Sequence, residues 1–416
     1  MHSTPSNNRF FYGWVVVAAA FAVTFLGFGS AYSFSAFVES LQHDFGASRG
    51  SVSLVFSLAG FLYFALGVVS GPLADRWGAR PRTILGMLLV GFGLILASQA
   101  RTLVEVYAAY GLGVGLGVGF AYVPAVGAVQ RWFVTRRGFA SGLAVSGIGA
   151  GALVMPPLAS WLIGSIGWRG AYLVLGALVA IIGVGMSLFM ANDPRDRGTG
   201  PDGEPESVNA QSAARAGISV REAVRTQRFI GLYVPCLISG FGVFVPFVHL
   251  TPYALDHHVD QAAAALLVAV IGVGSTVGRF FLGGLADRTG RHAFLIAMFV
   301  GMAGSLAIWA EAVSFWPLAA FALLFGVFYG GWVAILPAVI MDYFGGRNVG
   351  GIIGIVYTSV AIGTLAGPSA AGFAFDVGHS YTAPIVASVA ANVVAAVIAA
   401  LTMNGARTPP GATRGA

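Results

Sequence analysis

The sequence predicts an all-α integral membrane protein with twelve transmembrane helices, arranged as two pseudo-symmetric six-helix bundles. Three observations support this fold class. The 416 residues are 57% hydrophobic and only 9% charged, whereas soluble domains carry about 25% charged residues. Charged and turn-forming residues divide the chain into about twelve apolar runs, each long enough for a membrane-spanning helix. A polar segment and an internal repeat then separate these runs into six and six.

Each apolar run approaches the ~20 residues that a helix needs to cross a bilayer. The first run follows polar residues and is followed by no small-residue cleavage motif, so we expect it to be retained as a helix rather than removed as a signal peptide. The runs begin near Trp14, Val52, Thr83, Val106, Gly138, Gly170, Phe229, Ala262, Ala293, Trp316, Gly350 and Tyr381.

The distribution of arginine predicts the orientation of these spans. All 22 basic residues are arginines; if the N-terminus is cytoplasmic, eighteen of them fall on the cytoplasmic side, Arg49, Arg101 and Arg169 fall outside, and Arg279 lies within a span. Cytoplasmic loops of membrane proteins carry such an excess of arginine. We therefore expect a multi-pass protein of a bacterial inner membrane with both termini cytoplasmic. The basic charge is a topology signal, and no nucleic-acid partner is expected.

The longest polar segment, residues 191–227, separates an N-terminal bundle over residues 1–190 from a C-terminal bundle over residues 228–416. Most of this linker has the Pro-, Gly- and Ser-rich composition of a flexible segment. Near its end, Ser219 and Glu222 have the spacing of a capping box. That spacing predicts a short amphipathic stretch that reaches Arg228 and forms an interfacial helix on the cytoplasmic face, and a linker that is unstructured throughout is the alternative.

An internal repeat relates the two bundles. The segment GPLADRWGAR at residues 71–80 recurs as GGLADRTGRH at residues 283–292, an offset of 212. Three positions of the fifth run recur in the eleventh at the same offset, namely Gly142, Gly151 and Pro156. Parallel duplicated halves with a site between them are typical of rocker-type secondary transporters.

The repeated loops and the loop after the fourth run contain candidate conformational-switch residues. An aspartate can cap or pair with a helix end, a glycine permits a tight turn, and arginines hold the cytoplasmic side. The candidates are Gly71, Asp75, Arg76, Asp287, Arg288, Arg136 and Arg137.

Two classes of membrane protein are excluded by residue type. A P-loop pump needs a lysine, and the chain has none. A membrane enzyme needs acids, bases or metal ligands clustered on facing helices, but the acidic residues lie almost entirely in loops or at the ends of spans. We expect no enzymatic activity, no cofactor and no metal site.

Arg279 is the only charge well inside a span. A charge there costs from ~3 to more than 10 kcal/mol, so it needs either water at the membrane surface or an anionic partner. Asp287 lies roughly 12 Å further along the helix, which is too far to pair. The repeat partner of Arg279 is Gly67, so the fold does not require the arginine. Snorkelling to the surface is one reading; the other is that Arg279 binds an anion in a central cavity, since a guanidinium suits a carboxylate.

Each tyrosine can likewise be compared with the residue at the equivalent repeat position of the other half. This comparison selects tyrosines whose hydroxyl group has no counterpart there. Packing within the core or an interfacial belt is the general alternative for such residues. The selected candidates for substrate contact are Tyr32, Tyr122, Tyr329 and Tyr357, with Phe37 and Trp332 as an apolar wall and with His249 and Ser275 as candidate proton or substrate contacts.

Two further segments carry a family resemblance. The loop at residues 71–80 resembles the signature between helices 2 and 3 of the major facilitator superfamily. The segment RWFVTRRGFASGLAVSGIGAG at residues 131–151 resembles the helix 4–5 signature of monocarboxylate transporters and the related oxalate/formate antiporters, and NRFFYGW at residues 8–14 resembles their start of helix 1. The resemblance implies that helices 1, 4, 10 and 11 line the central cavity and that Arg279 binds the substrate carboxylate.

The chain departs from these families at two positions. The antiporters carry a second cation, a lysine in helix 11, where this chain has Tyr357 and its neighbours. Animal monocarboxylate transporters carry an aspartate one helical turn before the arginine, where this chain has Ser275. The first difference argues against a dicarboxylate substrate, and the second leaves the proton route unassigned.

We therefore expect a monomeric, proton-coupled symporter of small monocarboxylates such as lactate or pyruvate, with the substrate, protons and the lipid bilayer as its partners. An anion exchanger of the oxalate/formate type is the first alternative. A membrane sensor or channel for organic anions is the second, although the even duplication and the lack of a large extramembrane domain weigh against a sensor.

Overall fold

The computed structural model describes residues 11–70, 73, 78–133, 136–203, 217–282, 285–286, 290–345 and 348–403. Within these ranges the chain is almost entirely helical, and eleven helices are long and apolar enough to cross a membrane. In lipid, a helix satisfies all of its own backbone hydrogen bonds. The protein is therefore a multi-pass membrane protein, as the composition predicts.

One of these helices, Phe139–Ser187, contains two spans. It bends at Gly167, whose backbone (φ 73°, ψ 166°) is not helical and lies in a region that glycine adopts readily. We number the spans α1 Gly13–Phe45, α2 Arg49–Ser70, α3 Ala79–Ser98, α4 Leu103–Trp132, α5 139–166, α6 168–187, α7 Gln227–Asp256, α8 Gln261–Leu282, α9 Arg291–Glu311, α10 Phe315–Phe344, α11 Gly350–Gly378 and α12 Thr382–Thr402. Splitting the longest of the eleven helices gives the twelve predicted spans, and their starts agree with the sequence within about one helical turn.

The duplication is visible in the backbone as well as in the sequence. α1 is a regular helix as far as Tyr32 and then tightens into a 3₁₀ turn over Ser33–Phe37. α7 is interrupted at Phe244, just before Pro246. Tyr32 and Phe244 are separated by 212 residues, the offset of the repeated motif. The two first helices of the bundles therefore break at equivalent positions.

The two bundles meet along two helix pairs, α2 with α11 and α5 with α8. Glycines allow these backbones to touch. A Cβ atom added to Gly149 would lie 3.0 Å from the carbonyl oxygen of Gly272, and one added to Gly372 would lie 2.7 Å from the Cα atom of Gly50. Small residues are the usual means of close helix packing in membranes. Along these two helix pairs the bundles therefore pack backbone against backbone at the glycine positions.

A short helix begins at the predicted capping box, but it ends at Ala223 and α7 begins separately at Gln227, so the predicted stretch to Arg228 is not one continuous helix. Ser219 and Glu222 form both hydrogen bonds of a capping box at the start of the helix Val220–Ala223. Ile218, which precedes the capping residue Ser219, is attached to the second bundle, because its N–H donates to the Phe344 carbonyl oxygen at 3.1 Å. The position of the short helix at the membrane interface stays a prediction. We refer to the side of the protein that carries this helix as the linker face, and to the other side as the opposite face.

We predict that the contact between α8 and α10 tolerates no added side chain. A Cβ atom on Gly326 would lie 2.3 Å from the backbone oxygen of Ile271, whereas one on Gly304 in α9 would meet nothing within 4 Å. Gly326→Val should therefore lower the free energy of unfolding by at least ~1–3 kcal/mol, the usual cost of overpacking. Thermal unfolding of the detergent-solubilised protein, followed by tryptophan fluorescence, measures this. Gly304→Val is the matched control, and equal melting temperatures for the two variants would contradict the prediction.

Candidate substrate-binding site

A narrow cavity lies between the two bundles near the middle of the helices. Both halves contribute to its wall, which is mostly aromatic and contains four of the predicted residues, Tyr122, Tyr329, Trp332 and Tyr357. The remaining lining residues are Phe28, Phe64, Ile148, Phe244, Val333, Leu336 and Val360. Helices α1, α2, α4 and α5 of the first half therefore face α7, α10 and α11 of the second across one cavity.

Arg279 lies in the last turns of α8, where the helix widens into a π-helical turn over Gly278–Leu282. Gly278 fixes the position of this turn, because a Cβ atom there would lie 2.1 Å from the Val327 carbonyl oxygen of α10. The guanidinium carbon of Arg279 lies 5.9 Å from the centre of the Tyr329 ring. The charged group therefore lies beside an aromatic wall residue of the cavity.

The Arg279 side chain has no hydrogen-bond partner within the described part of the chain. Its Nε, Nη1 and Nη2 atoms are buried and make no hydrogen bond there, and the residue is only 5% exposed. Snorkelling requires the charged head to reach water, so this degree of burial does not support it. Five N–H donors of a guanidinium are thus held in a low-dielectric site without an acceptor, which is a costly arrangement unless an anion binds.

Two of the predicted tyrosines connect the bundles beside Arg279. The Tyr32 and Tyr329 hydroxyl groups are 3.0 Å apart, within hydrogen-bonding distance. The Tyr32 ring also stacks on Phe247 of α7, with ring centres 4.4 Å apart. Both tyrosines are buried. Together with Phe247 they separate the cavity from the opposite face.

Sequence reasoning missed a fifth tyrosine. The Tyr63 hydroxyl group on α2 is buried and has no hydrogen-bond partner in the described residues, and its ring packs edge-on against Phe28 of the cavity wall at 5.4 Å. The repeat offset of 212 pairs Tyr63 with Ser275. Because both residues carry a hydroxyl group, a search for hydroxyls without a counterpart passes over Tyr63. A search for polar residues at both positions of a repeat pair would have found it.

Ser275 lies one helical turn before Arg279, so the two side chains project from the same face of α8. The Ser275 hydroxyl group is buried without a hydrogen-bond partner among the described residues. The backbone at Ser275 is in close contact with α10, since a Cβ atom on Gly330 would lie 2.2 Å from its carbonyl oxygen. Two unsatisfied polar groups are therefore fixed on one rigid helix face.

Comparison with known proteins decides the family. The sequence model of the Major Facilitator Superfamily matches residues 19–291 and 236–416. The chain belongs to the Major Facilitator Superfamily. Its curated relatives place it in the monocarboxylate transporter branch: it is 32% identical over 392 residues to human monocarboxylate transporter 11, covering 91% of this chain and 80% of the relative.

Further relatives agree with this placement. Monocarboxylate transporter 12-B of Danio rerio is 30% identical over 395 residues, covering 89% of this chain and 83% of the relative. Monocarboxylate transporter 3 of Rattus norvegicus is 32% identical over 375 residues, covering 89% and 75%. This Major Facilitator Superfamily protein is therefore a transporter and not an enzyme.

A solved structure supports the fold independently. The bacterial homologue of the human lysosomal transporter Spinster, crystallised in an inward-facing and unoccupied conformation, superposes with a TM-score of 0.74 over 99% of this chain and 100% of that one. At 16% sequence identity the similarity concerns the major facilitator fold alone.

Two predicted residues lie away from the cavity of this transporter. The Phe37 ring stacks on Tyr172 of α6, with centres 3.9 Å apart, because the 3₁₀ turn changes the direction of its side chain. His249 lies near the opposite face, where its Nε2 atom is 2.8 Å from the Pro368 carbonyl oxygen. Phe37 is therefore a packing residue of the first bundle, and His249 is separated from the cavity wall.

Burial differs on the two sides of the cavity. Toward the opposite face, Tyr32, Phe247 and His249 are 0–1% exposed. Toward the linker face, Tyr122 and Tyr357 keep partial exposure. Among the described residues, the side chains between the cavity and the opposite face are therefore more deeply buried than those toward the linker face.

The predicted switch residues of the transporter are only partly described. Arg136 is exposed on the linker face, and Arg137 begins the helix that contains α5. Their role in conformational change stays a prediction. The others lie outside the described residues, namely Gly71, Asp75, Arg76, Asp287 and Arg288.

Proposed function

We propose that the protein is a secondary active transporter of small monocarboxylates of the size of lactate or pyruvate, which works by alternating access and moves a proton with its substrate. The observation that carries this proposal is the buried Arg279 guanidinium. It has no partner in the described residues, and it lies beside a cavity that both bundles line. A site built from both halves of a duplicated transporter is closed and opened when the halves rock.

The choice of a monocarboxylate follows from charge and geometry. A guanidinium binds the two oxygens of a carboxylate through parallel hydrogen bonds. Arg279 is the one cation beside the cavity in the described part of the chain, and the sequence contains no lysine. A dianion would leave a second carboxylate without compensation in a site of low dielectric constant. The names of the curated relatives agree with a monocarboxylate.

An exchanger remains the second candidate, favoured by a specific feature of the cavity. No carboxylate or histidine is among the described residues that line it, so this part of the wall offers no side chain that readily exchanges a proton at neutral pH. In a symporter the proton would travel on the substrate, through tyrosines and water, or by way of His249. An exchanger would need only the anion on each side.

We expect Arg279→Lys to reduce transport at least tenfold although the charge is kept. Lysine lacks the planar fork that binds both carboxylate oxygens, and it deprotonates more easily when buried. Uptake of labelled lactate into proteoliposomes measures this, with reconstituted protein quantified for each variant. Arg101→Lys, at an exposed position of the opposite face, is the matched control. Normal uptake by Arg279→Lys would show that recognition does not depend on a guanidinium.

We expect an inward pH gradient to drive uptake, whereas the membrane potential has little effect. A monoanion carried alone would work against an inside-negative potential of 100 mV by roughly 2.3 kcal/mol, and a co-transported proton removes this cost. The measurement is initial uptake into vesicles with the potential clamped by valinomycin and potassium. Uptake that follows the potential and ignores the pH gradient would exclude proton symport. Strict dependence on substrate inside the vesicle would establish the exchanger instead.

We expect Tyr357→Lys to gain measurable binding of oxalate or malonate. Tyr357 lies in the cavity wall, so a lysine there would supply a second cation for the second carboxylate of a dianion. Thermal-shift titration of the purified protein measures this binding, because a ligand of the folded state raises the melting temperature. Tyr357→Phe is the control that changes the side chain without adding charge. A preference of the unmodified protein for dicarboxylates would contradict this interpretation of α11.

A further inference from the structure

The opposite face is closed by a charged contact between the two bundles. Arg49 at the start of α2 donates from Nη1 and Nη2 to the two carboxylate oxygens of Asp256, at 2.5 and 2.7 Å. Asp256 is the last residue of α7, so this bidentate pair joins the first bundle to the second. The guanidinium also lies 4.1 Å from the centre of the Phe375 ring on α11. Such paired, planar contacts are among the stronger charged interactions in proteins.

A second carboxylate from α11 caps the same helix end. The Asp376 side chain accepts the backbone N–H groups of Arg49 and Gly50, each at 2.9 Å. These N–H groups have no partner within α2, and a carboxylate at a helix N-terminus is also favoured by the helix dipole. One bundle therefore completes the hydrogen bonding of a helix that belongs to the other.

His249 connects this contact to the interior through a chain of hydrogen bonds with a fixed direction. Its Nε2 atom lies 2.8 Å from the Pro368 carbonyl oxygen, which can only accept, so Nε2 carries the proton. Nδ1 is then free to accept from the Tyr381 hydroxyl group at 2.9 Å. The Tyr381 oxygen in turn accepts from Arg49 Nη1 at 3.2 Å. Every group in the chain is satisfied when the His249 ring is neutral.

A second proton on His249 would disrupt this arrangement. Nδ1 would become a donor, so the Tyr381 hydroxyl hydrogen would have to turn away from His249, and the Tyr381 oxygen would then face two cationic donors, His249 and Arg49. The charged groups that face His249 are Arg49 on α2 and Asp376 on α11, with Asp256 at the end of its own helix. Burial of the ring and the nearby Arg49 charge oppose a cation at His249, whereas the Asp376 carboxylate, which is held by two backbone N–H groups, favours one.

A proton can reach the chain from the opposite face. A polar cavity of about 280 Å³ opens there and is lined by Asp256, His257, His379 and Tyr381, among others. Tyr381 therefore contacts this cavity on one side and His249 on the other.

We propose that Arg49, Asp256, Asp376, Tyr381 and His249 form a latch that holds the opposite face closed only while His249 is neutral. Protonation of His249 from that face then releases the latch and opens the transporter toward the source of protons. The inference rests on alternating access as proposed above, but it does not depend on which substrate is carried.

The latch can be tested by cysteine accessibility without any substrate, so its failure would leave the proposed transport function untouched. Ser57 on α2 is fully buried and bonded across the bundle interface to Ser369 at 2.8 Å. In a Cys236→Ser background, Ser57→Cys reports opening to a membrane-impermeant thiol reagent applied at the opposite face. His43→Cys, whose native side chain is 90% exposed, serves as the always-accessible reference and identifies the membrane side.

We expect Asp256→Asn to raise the rate of Ser57→Cys labelling at least fivefold relative to the His43→Cys reference. Asp44→Asn is the matched control, because the Asp44–Arg169 pair, at 2.6 Å, lies on the same face but within the first bundle. It should leave the rate unchanged. Equal labelling of the Asp256→Asn and Asp44→Asn proteins would overturn the latch.

A separate measurement, the pH dependence of the labelling rate, tests the role of His249. Lowering the pH from 8 to 5.5 should raise the normalised labelling rate at least threefold when His249 is present, and His249→Gln should abolish this dependence. Tyr381→Phe removes the hydroxyl group between His249 and Arg49, so it should abolish the pH dependence of labelling as well. This second variant keeps the test decisive if His249→Gln does not fold. A pH dependence that survives in a folded variant of either kind would overturn control by His249.

Discussion

A guanidinium buried among aromatic rings, without a protein acceptor in the described residues, is the constraint on which the rest of this structure depends. Holding Arg279 away from water is costly, so the surrounding helices must be stable enough to keep it there. Glycines provide that stability by bringing the backbones of α8 and α10 into direct contact at Gly278 and Gly330. In the proposed function, a monoanion bound at Arg279 would neutralise the guanidinium and supply the hydrogen-bond acceptors that the described residues do not. The free energy cost of burying Arg279 without an acceptor would then favour binding of the anion.

The duplication explains why only one half carries this charge. α2 and α8 are equivalent helices, and the offset of 212 pairs Tyr63 with Ser275 and Gly67 with Arg279. One helix thus presents a bulky phenol and a glycine where the other presents a small hydroxyl group and a cation. The two helices occupy equivalent positions in the fold, but their side chains differ in size, polarity and charge. A polar site at the interface of two equivalent bundles is therefore asymmetric, because each bundle contributes different side chains to it.

The sequence was sufficient for the features that depend on local composition. The spans and the capping box at Ser219 follow from patterns within single segments. The offset of the repeat and three tyrosines of the cavity wall, Tyr122, Tyr329 and Tyr357, follow from comparing the two halves of the sequence. The sequence was not sufficient where a backbone irregularity redirects a side chain, as for Phe37 after the 3₁₀ turn. It also failed for partners far apart in the chain. Arg49, Asp256 and Asp376 each occur at the end of a different helix, and no spacing rule connects them.

The distribution of polar groups along the bundle interface suggests how the two ends of the transporter communicate. At the centre, the Tyr32–Tyr329 contact joins the halves directly beside Arg279. At the opposite face, Arg49 and Asp256 join them again. Both contacts cross the same interface, so a rigid-body movement of one bundle against the other acts on both of them. Under the two proposals above, substrate bound at Arg279 would act on the tyrosine contact, and a proton on His249 would act on the charged contact. Coupling of the two ligands would then need no shared binding group, because each would bias the same rigid-body movement.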